Sequence, residues 1–474
     1  MVDPDYGWHV ENGRHLSDGL LLGGHDIYSW TSFGRPWVAH EWLTDVAMAK
    51  LDGAFGPTAN GLAASFVIVL AFGIVAARLR NRRVTSGVIL ATIVLGALSS
   101  YGSLGARPQM LELLYLALTL WLVESWIAGR VGGPKLVALV GVGALIWANT
   151  HGSFLLLCAI CGLTAIARFL AHDGRWRWML TATVVAAVVP LANPFGLQLY
   201  AFASQSARSA ATQRLIQEWR RPDLLNPSFA PFTIELVLIG IGVLAWGIHR
   251  RRARPSEDVR LDDILVTAFL VWLALGSARH VMLVGIGGAP LIACGIAAVV
   301  TRTRSHLPAH RRSLETSCRQ GAITARERTM VNRIAAAVIA VAIVAVGIHR
   351  ARPAAQASAI RHAYPVDLLG RLDKAVADRP AARLFNEYGW GGFLILRRPA
   401  IPVFIDGRSE VYGDDQLVRY AQIAYTAPGW RAQIARSKID LALIRRSLPL
   451  AAALRASGWH EIGSDRIGVL LARP

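Results

Sequence analysis

Two short blocks near the amino terminus concentrate side chains able to carry out proton transfer and ligand binding. Asp3 and Asp5 stand two apart, with Trp8 and His9 just behind them, and Arg35, Trp37, His40 and Glu41 follow in one run. A carboxylate accepts a proton, and an imidazole exchanges one near neutral pH. Carboxylates, imidazoles and indoles packed this densely before a long apolar series point to a reaction or binding site held at a membrane surface.

Composition supports the membrane. Hydrophobic residues make up 54% of the 474 and charged residues only 17%, outside the range of ordinary soluble domains. The formal charge of +19 is carried in short basic runs between apolar segments, a pattern of cytoplasmic loops and not of a nucleic-acid-binding face. Nucleic acid is therefore not an expected partner, and the lipid bilayer is.

Apolar runs near 58–77, 86–104, 108–127, 135–150, 152–170, 177–193, 229–248, 261–278, 280–300 and 331–349 approach the roughly 20 residues that cross a bilayer. The expectation is an all-α polytopic membrane domain of about ten transmembrane helices over 58–349, preceded by a first loop, 1–57. Alternate loops hold 22 basic residues on one side, including Arg78, Arg82, Arg168 and Arg260, against six on the other. The positive-inside rule then puts the first loop, the 194–228 loop and the tail after 350 on the outer face, with both termini extracytoplasmic. A polar start with no apolar segment before it suggests that a first helix is missing. Of the four cysteines, Cys158 and Cys161 form a CxxC inside an apolar run, where small core residues are the default.

Helical stretches are expected at Trp8 to Leu16, Glu41 to Leu51 and Leu197 to Ile216. After residue 350 the pattern becomes that of an extracytoplasmic α/β domain, 350–474, with short buried strands at 382–386, 401–406, 439–444 and 467–471 and helices at 415–425 and 449–456.

The opening Asp-Pro-Asp-x-x-Trp-His, the block from Gly34 to Leu43, Trp147-Ala148-Asn149-Thr150-His151-Gly152, Asn193-Pro194-Phe195-Gly196, Glu218-Trp219, Gly391-Gly392-Phe393 and Val403-Phe404-Ile405-Asp406-Gly407-Arg408 together resemble a group of bacterial polytopic proteins. That group looks like the C-type (GT-C) glycosyltransferases, which use polyprenyl- or dolichyl-phosphate sugars. The resemblance implies a multi-pass enzyme of the bacterial plasma membrane, a polyprenyl-phosphate-linked sugar as donor, and a cell-envelope glycan, lipid or protein as acceptor. It also implies that an acidic residue in the first outer loop acts as base or metal ligand; that position falls on Asp3 or Asp5, with His40-Glu41 at the later one. A divalent metal, magnesium or manganese, would use Asp3 and Asp5, although no ligand spacing of diagnostic kind supports one.

Such a transfer needs a base for the acceptor hydroxyl and cationic help for the departing phosphate. Asp3, Asp5 and Glu41 are the catalytic candidates, and His9, Arg35, Trp37, His40, Arg107, His151, Arg279 and His280 the substrate-binding ones. Guanidinium suits phosphate because its planar fork of donors matches two oxygens.

Each residue also has a plain structural role open to it. Asp3 and Asp5 could be solvated terminal acids, Glu41 a helix cap, and Arg35 with Trp37 a stacking pair. Arg107 and Arg279 could snorkel to the interface, Asn149 and His151 could simply end a helix, and Asp406-Gly407-Arg408 could be a turn and not an acceptor contact. A lipid-linked-sugar transporter or a non-catalytic membrane protein remain the competing classes; a transporter would show deep ionisable residues and internal symmetry.

Overall fold

The computed structural model describes residues 3–18, 24–251, 259–305 and 352–474. Two amphipathic helices come first, α1 (Tyr6–Ser17) and α2 (Trp42–Phe55). A bundle follows: α3 (Pro57–Asn81), α4 (Ser86–Ser100), α5 (Met110–Ile127), α6 (Gly133–Thr150), α7 (Leu155–Leu170), α8 (Trp176–Val188), α9 (Leu197–Arg208), α10 (Ala210–Leu215), α11 (Ala230–Arg251), α12 (Leu261–Gly276), α13 (Val281–Gly287) and α14 (Ala289–Ser305).

Among the described residues, five helices are long and apolar enough to cross a membrane, or seven if each of two bent pairs counts as one span. The chain is thus a multi-pass helical membrane protein, and the described residues hold fewer spans of full length than the ten expected of the whole chain. Runs 152–170 and 261–278 become helices of only 16 residues, about 24 Å long at 1.5 Å per residue, against a core of about 30 Å. The run 331–349 lies outside the described residues, as does Cys318. Cys158 and Cys161 are free thiols.

Both bends have local causes. Helix α8 gives way to α9 at 104° across Asn193-Pro194-Phe195-Gly196. There Asn193 Nδ2 donates to Ala148 O at 2.8 Å, its Oδ1 accepts from Phe195 N at 2.9 Å, and Gly196 takes φ +52°. The corner is therefore tied to the end of α6. The amphipathic stretch expected as one piece up to Ile216 is broken at Ser209, whose hydroxyl accepts from Thr212 N and caps α10. The second bend, 69°, separates α13 from α14 at Gly288.

Several arginines of the basic runs, buried or half-buried, enter an ion-pair cluster at the end of the bundle remote from α1. Arg78 and Arg82 both reach Glu124 Oε1, at 2.8 and 2.6 Å, Arg82 also grips Asp263, and Arg168 and Arg260 meet Asp262. Burial forces this pairing, since an unpaired guanidinium among apolar helices would be costly. These four charges are matched within the fold.

The carboxy-terminal unit is an open four-stranded sheet in the order β1-β2-β4-β3, with β1 (Arg383–Asn386), β2 (Ile439–Arg445), β3 (His460–Ser464) and β4 (Gly468–Ala472). β1 runs parallel to β2, and β3 and β4 form an antiparallel hairpin. The strand expected at 401–406 does not join this sheet. Pro402 lacks an amide donor, and the backbone of Val403 pairs with the amino-terminal segment: Val403 N donates to Tyr28 O at 3.0 Å, and Val403 O accepts from Trp30 N at 3.1 Å. The strand at 460–464, with alternating polar residues, is an addition.

That segment binds the two ends of the chain together. Trp30 Nε1 donates to Leu384 O at 2.9 Å and Thr31 Oγ1 to Phe404 O at 2.6 Å. Helix α1 lies so close to the helix Gly391–Arg397 that a Cβ on Gly7 would fall 2.0 Å from Gly392 O. No larger residue fits there, so Gly392 is a packing surface for α1, while Gly391 packs against Ile405 and Asp406.

Candidate functional site

A cavity of about 1730 Å³ opens where α1, the loop ends of the bundle and the carboxy-terminal unit meet. Asp3, Asp5, His9, His40 and Glu41 line it from the amino-terminal segment, and Arg107, His151, Arg279 and His280 from the bundle. Arg35 and Trp37 lie behind this wall. Arg35 Nη1 donates to Tyr412 O at 3.0 Å, and the guanidinium over the Trp37 ring, 4.7 Å from its centroid, is that of Arg408.

Asp3 and Asp5 are folded in, with side chains only 8% and 20% exposed. Asp3 Oδ1 accepts from Asp5 N at 3.0 Å, and Trp8 Nε1 donates to Asp5 Oδ1 at 3.2 Å. Arg107 faces both carboxylates, at 3.7 Å from Asp3 and 3.4 Å from Asp5. Burial, and then the neighbouring Asp3, raise the Asp5 pKa despite the opposing pull of Arg107. A carboxylate so placed is a stronger base than one in water.

Beside it, Asp45 orients His9. Asp45 Oδ1 is 2.6 Å from His9 Nδ1, and its Oδ2 accepts from Asn12 Nδ2 at 2.6 Å, fixing both partners across the α1–α2 contact. His9 Nε2 is thereby left facing Glu41 Oε2 at 3.7 Å. Burial alone would lower the His9 pKa, but Asp45 and then Glu41 raise it. Glu41 occupies the position before α2 without making a side-chain cap bond, and its Oε1 lies 3.3 Å from His151 Nε2 and 3.7 Å from His40 Nε2. Burial holds the imidazoles of His151 and His40 neutral, the latter lowered to about 3, with its ring stacked on Phe202 at 4.1 Å.

Burial likewise pushes the Glu41 carboxyl up to about 8, against the pull of His9. The folded chain then keeps a proton that the unfolded chain releases near 4.5, so this contribution to stability is whole below that value and is lost as pH rises through about 8. Glu41→Gln abolishes the titration. Melting temperatures in detergent, followed from about pH 5 to about pH 9, should fall less steeply in the variant than in the parent, and parallel curves would refute the assignment.

The sequence motifs left several wall residues unassigned. Glu218 bridges Arg107, at 3.0 Å, and Arg279, at 3.3 Å. Burial by itself would raise its pKa, but Arg279 and then Arg107 hold it below the ordinary range. Glu112 of α5 and Glu387, Tyr388 and Glu410 of the carboxy-terminal unit also line the cavity. Glu387 immediately follows β1, and only the strand's end at Asn386 hinted at it. Asn149 has a supporting part: its Oδ1 accepts from Trp42 Nε1 at 2.9 Å, pinning α2 to α6.

Gly407 closes the wall over Asp5. A Cβ there would lie 1.8 Å from Asp5 Oδ1 and 3.3 Å from Trp8 Nε1. Gly407→Ala should displace Asp5, cost about 1–3 kcal/mol through overpacking, and depress any activity of the site. A melting temperature and activity equal to the parent's would show that the contact is loose.

Among the described residues, no group of three or more His, Cys, Asp or Glu side chains is arranged to hold a metal ion. The two carboxylates expected as ligands, Asp3 and Asp5, both face the guanidinium of Arg107.

No protein-family model matches the sequence, and no curated protein matches it. Solved structures do. The oligosaccharyltransferase AglB from Archaeoglobus fulgidus, in complex with an inhibitory peptide and a dolichol-phosphate, is 10% identical, with a TM-score of 0.54 over 94% of this chain and 65% of that one. The chain shares the fold of that oligosaccharyltransferase. ArnT from Cupriavidus metallidurans in the apo state is 18% identical, with a TM-score of 0.48 over 100% of this chain and 94% of that one. The chain spans about 65% of the length of AglB, and the likeness at this identity concerns the fold.

Proposed function

We propose that the chain is an integral membrane glycosyltransferase that transfers a sugar from a polyprenyl-phosphate donor to an extracytoplasmic acceptor. The observation that carries this reading is the two-sided cavity. Leu62 and Ile68 of α3 and Phe269 and Leu273 of α12 give it an apolar flank, while Asp5, Arg107 and Arg279 give it a charged one. An isoprenoid tail suits the first and a sugar phosphate the second.

In this reading Asp5 takes the proton of an acceptor hydroxyl as that oxygen bonds to the anomeric carbon. The bond from that carbon to the phosphate oxygen breaks, and the charge gathering on the phosphate meets Arg107 and Arg279, with His280 alongside. Asp3 holds Asp5 through its amide, and Glu41 with His9 and Asp45 forms a second proton-bearing group. His40 and His151 shape the wall beside it. A divalent ion at Asp3 and Asp5 would compete with Arg107 for the same oxygens, and no step is routed through it. A cell-envelope glycan, lipid or protein is the acceptor class, and both termini face outward at the bacterial plasma membrane.

The test is transfer of labelled sugar from polyprenyl phosphate to envelope material by the purified chain in proteoliposomes. Transfer that disappears when Asp3, Asp5 and Glu41 are replaced by their amides supports the proposal; transfer unchanged in all three rejects it. No transfer by the parent, with the lipid-linked sugar still crossing the bilayer, would favour a transporter.

A further inference from the structure

We propose that Glu218 is a displaceable internal counter-ion that holds the place of a phosphate between Arg107 and Arg279. This rests on the lipid-phosphate reading above and adds to it a residue that controls occupancy. Its two carboxylate oxygens are divided between the guanidinium groups, Oε2 to Arg107 Nη1 at 3.0 Å and Oε1 to Arg279 Nη1 at 3.3 Å. An oxyanion bound between two arginines would meet them in the same way.

The bridge leaves hydrogen-bonding capacity beside it. Arg107 Nε makes no hydrogen bond although it is buried, its nearest counter-charge being Asp3 Oδ2 at 3.7 Å, and the buried Nδ1 of His280 makes none either; both residues line the cavity. A carboxylate has two oxygens to offer, and both are committed. The sugar-bearing donor is a phosphate diester whose two non-ester oxygens can bridge the arginines as the carboxylate does, and the polyprenyl phosphate left after transfer is a monoester whose third oxygen can accept from another donor as well. The site is thus better matched to a phosphate than to the residue occupying it.

The occupant is also built to leave. Its side chain is 30% exposed, more than those of Arg107 at 13% and Arg279 at 24%. Its backbone is fixed independently: Ser277 Oγ donates to Glu218 O at 3.1 Å, and Ala278 N to Arg220 O at 2.8 Å. The neighbouring Trp219 ring stays under the Arg279 guanidinium, 5.0 Å from its centroid. Rotation of the Glu218 side chain into the open part of the cavity would free both arginines while the loop remains in place. Binding of a phosphate and departure of the carboxylate are then one exchange, and the returning carboxylate helps expel the spent polyprenyl phosphate.

The experiment measures binding of polyprenyl phosphate, and separately of inorganic phosphate, to the full chain in nanodiscs, using the parent, Glu218→Gln and Glu218→Asp. Removing a competitor raises apparent affinity by the fraction of sites it had occupied, so Glu218→Gln should bind polyprenyl phosphate roughly tenfold tighter. Glu218→Asp, one methylene too short to span both arginines, should tighten binding in the same direction by less, and it serves if the amide variant does not fold. Inorganic phosphate should follow the same order with weaker affinity if the headgroup alone is recognised; a gain confined to the lipid assigns the site to the lipid-borne phosphate. Equal or weaker binding by both variants would overturn the counter-ion role and leave the lipid-phosphate reading standing. No binding by any of the three proteins would overturn both.

Discussion

Asp5→Asn is expected to lower sugar transfer by about 10²–10⁴-fold, the usual loss on removing a general base, with little change in melting temperature. The amide keeps the size of the side chain, and its Oδ1 can still accept from Trp8 Nε1, so the amino-terminal turn should survive. What goes is the charge that faces Arg107 and the oxygen that receives a proton. Asp3→Asn should cost less, because Asp3 Oδ1 serves to hold the Asp5 amide, and an asparagine oxygen can accept the same bond. Polyprenyl-phosphate binding separates base from ligand. If Asp5→Asn loses turnover while binding stays within a few-fold of the parent, the acid–base role stands; if binding and turnover fall together, Asp5 acts on the donor through Arg107.

The membrane helices were legible wherever the apolar run was long and unbroken, as in Pro57–Asn81, because the period and length of such a run leave one solution. They were less legible at 261–278, where hydropathy marked a span but the helix Leu261–Gly276 is too short to be one by itself. The ion pairs of the basic residues were not legible, since nothing near Arg78 in the chain announces that Glu124, 46 residues on, will neutralise it. The same distance problem affected the site. His9, Glu41, Arg107, His151 and Arg279 were each recognisable as polar groups bordering apolar segments, and the fold brings them to one cavity. Asp45 was not, because its function as the partner of His9 exists only once α1 and α2 cross. Glu218 stood in a visible Gln-Glu-Trp-Arg-Arg stretch, but its bridge to Arg107 and Arg279 joins three loops distant in sequence. At 401–406 the apolar run is buried as expected, and the difference is in the partner: the amino-terminal segment, and not the sheet, takes the backbone of Val403.

Arg408→Met is expected to be the most destabilising single change, by about 3–5 kcal/mol, the cost of stripping a buried charge of its counter-charge. Arg408 is 0% exposed, as are Asp26 and Asp406. Its Nε and Nη2 grip Asp406 at 2.9 and 2.7 Å, and Nη2 also reaches Asp26 Oδ1 at 2.8 Å. The guanidinium is held between the rings of Tyr28 and Trp37, 4.8 and 4.7 Å from their centroids. Asp26, Tyr28 and Trp37 come from the first loop, whereas Asp406 comes from the carboxy-terminal unit, so one side chain joins the two parts that form the cavity wall. Methionine fills much of the volume but leaves two carboxylates buried together, and Arg408→Lys keeps the charge without the fork that serves both acids. The turn Asp406-Gly407-Arg408 is thereby a structural clamp, and its substitution should open the wall at Gly407 and release Asp5 from above. Thermal unfolding in detergent, with limited proteolysis of the 24–42 segment as a local probe, checks this. Arg408→Met should melt well below the parent and expose that segment first, with Arg408→Lys intermediate. Asp26→Asn combined with Arg408→Met should recover part of the loss, because one of the two stranded charges is then gone. If the single and double variants melt together, charge burial is not what the clamp contributes, and packing of Tyr28 and Trp37 would be the cause.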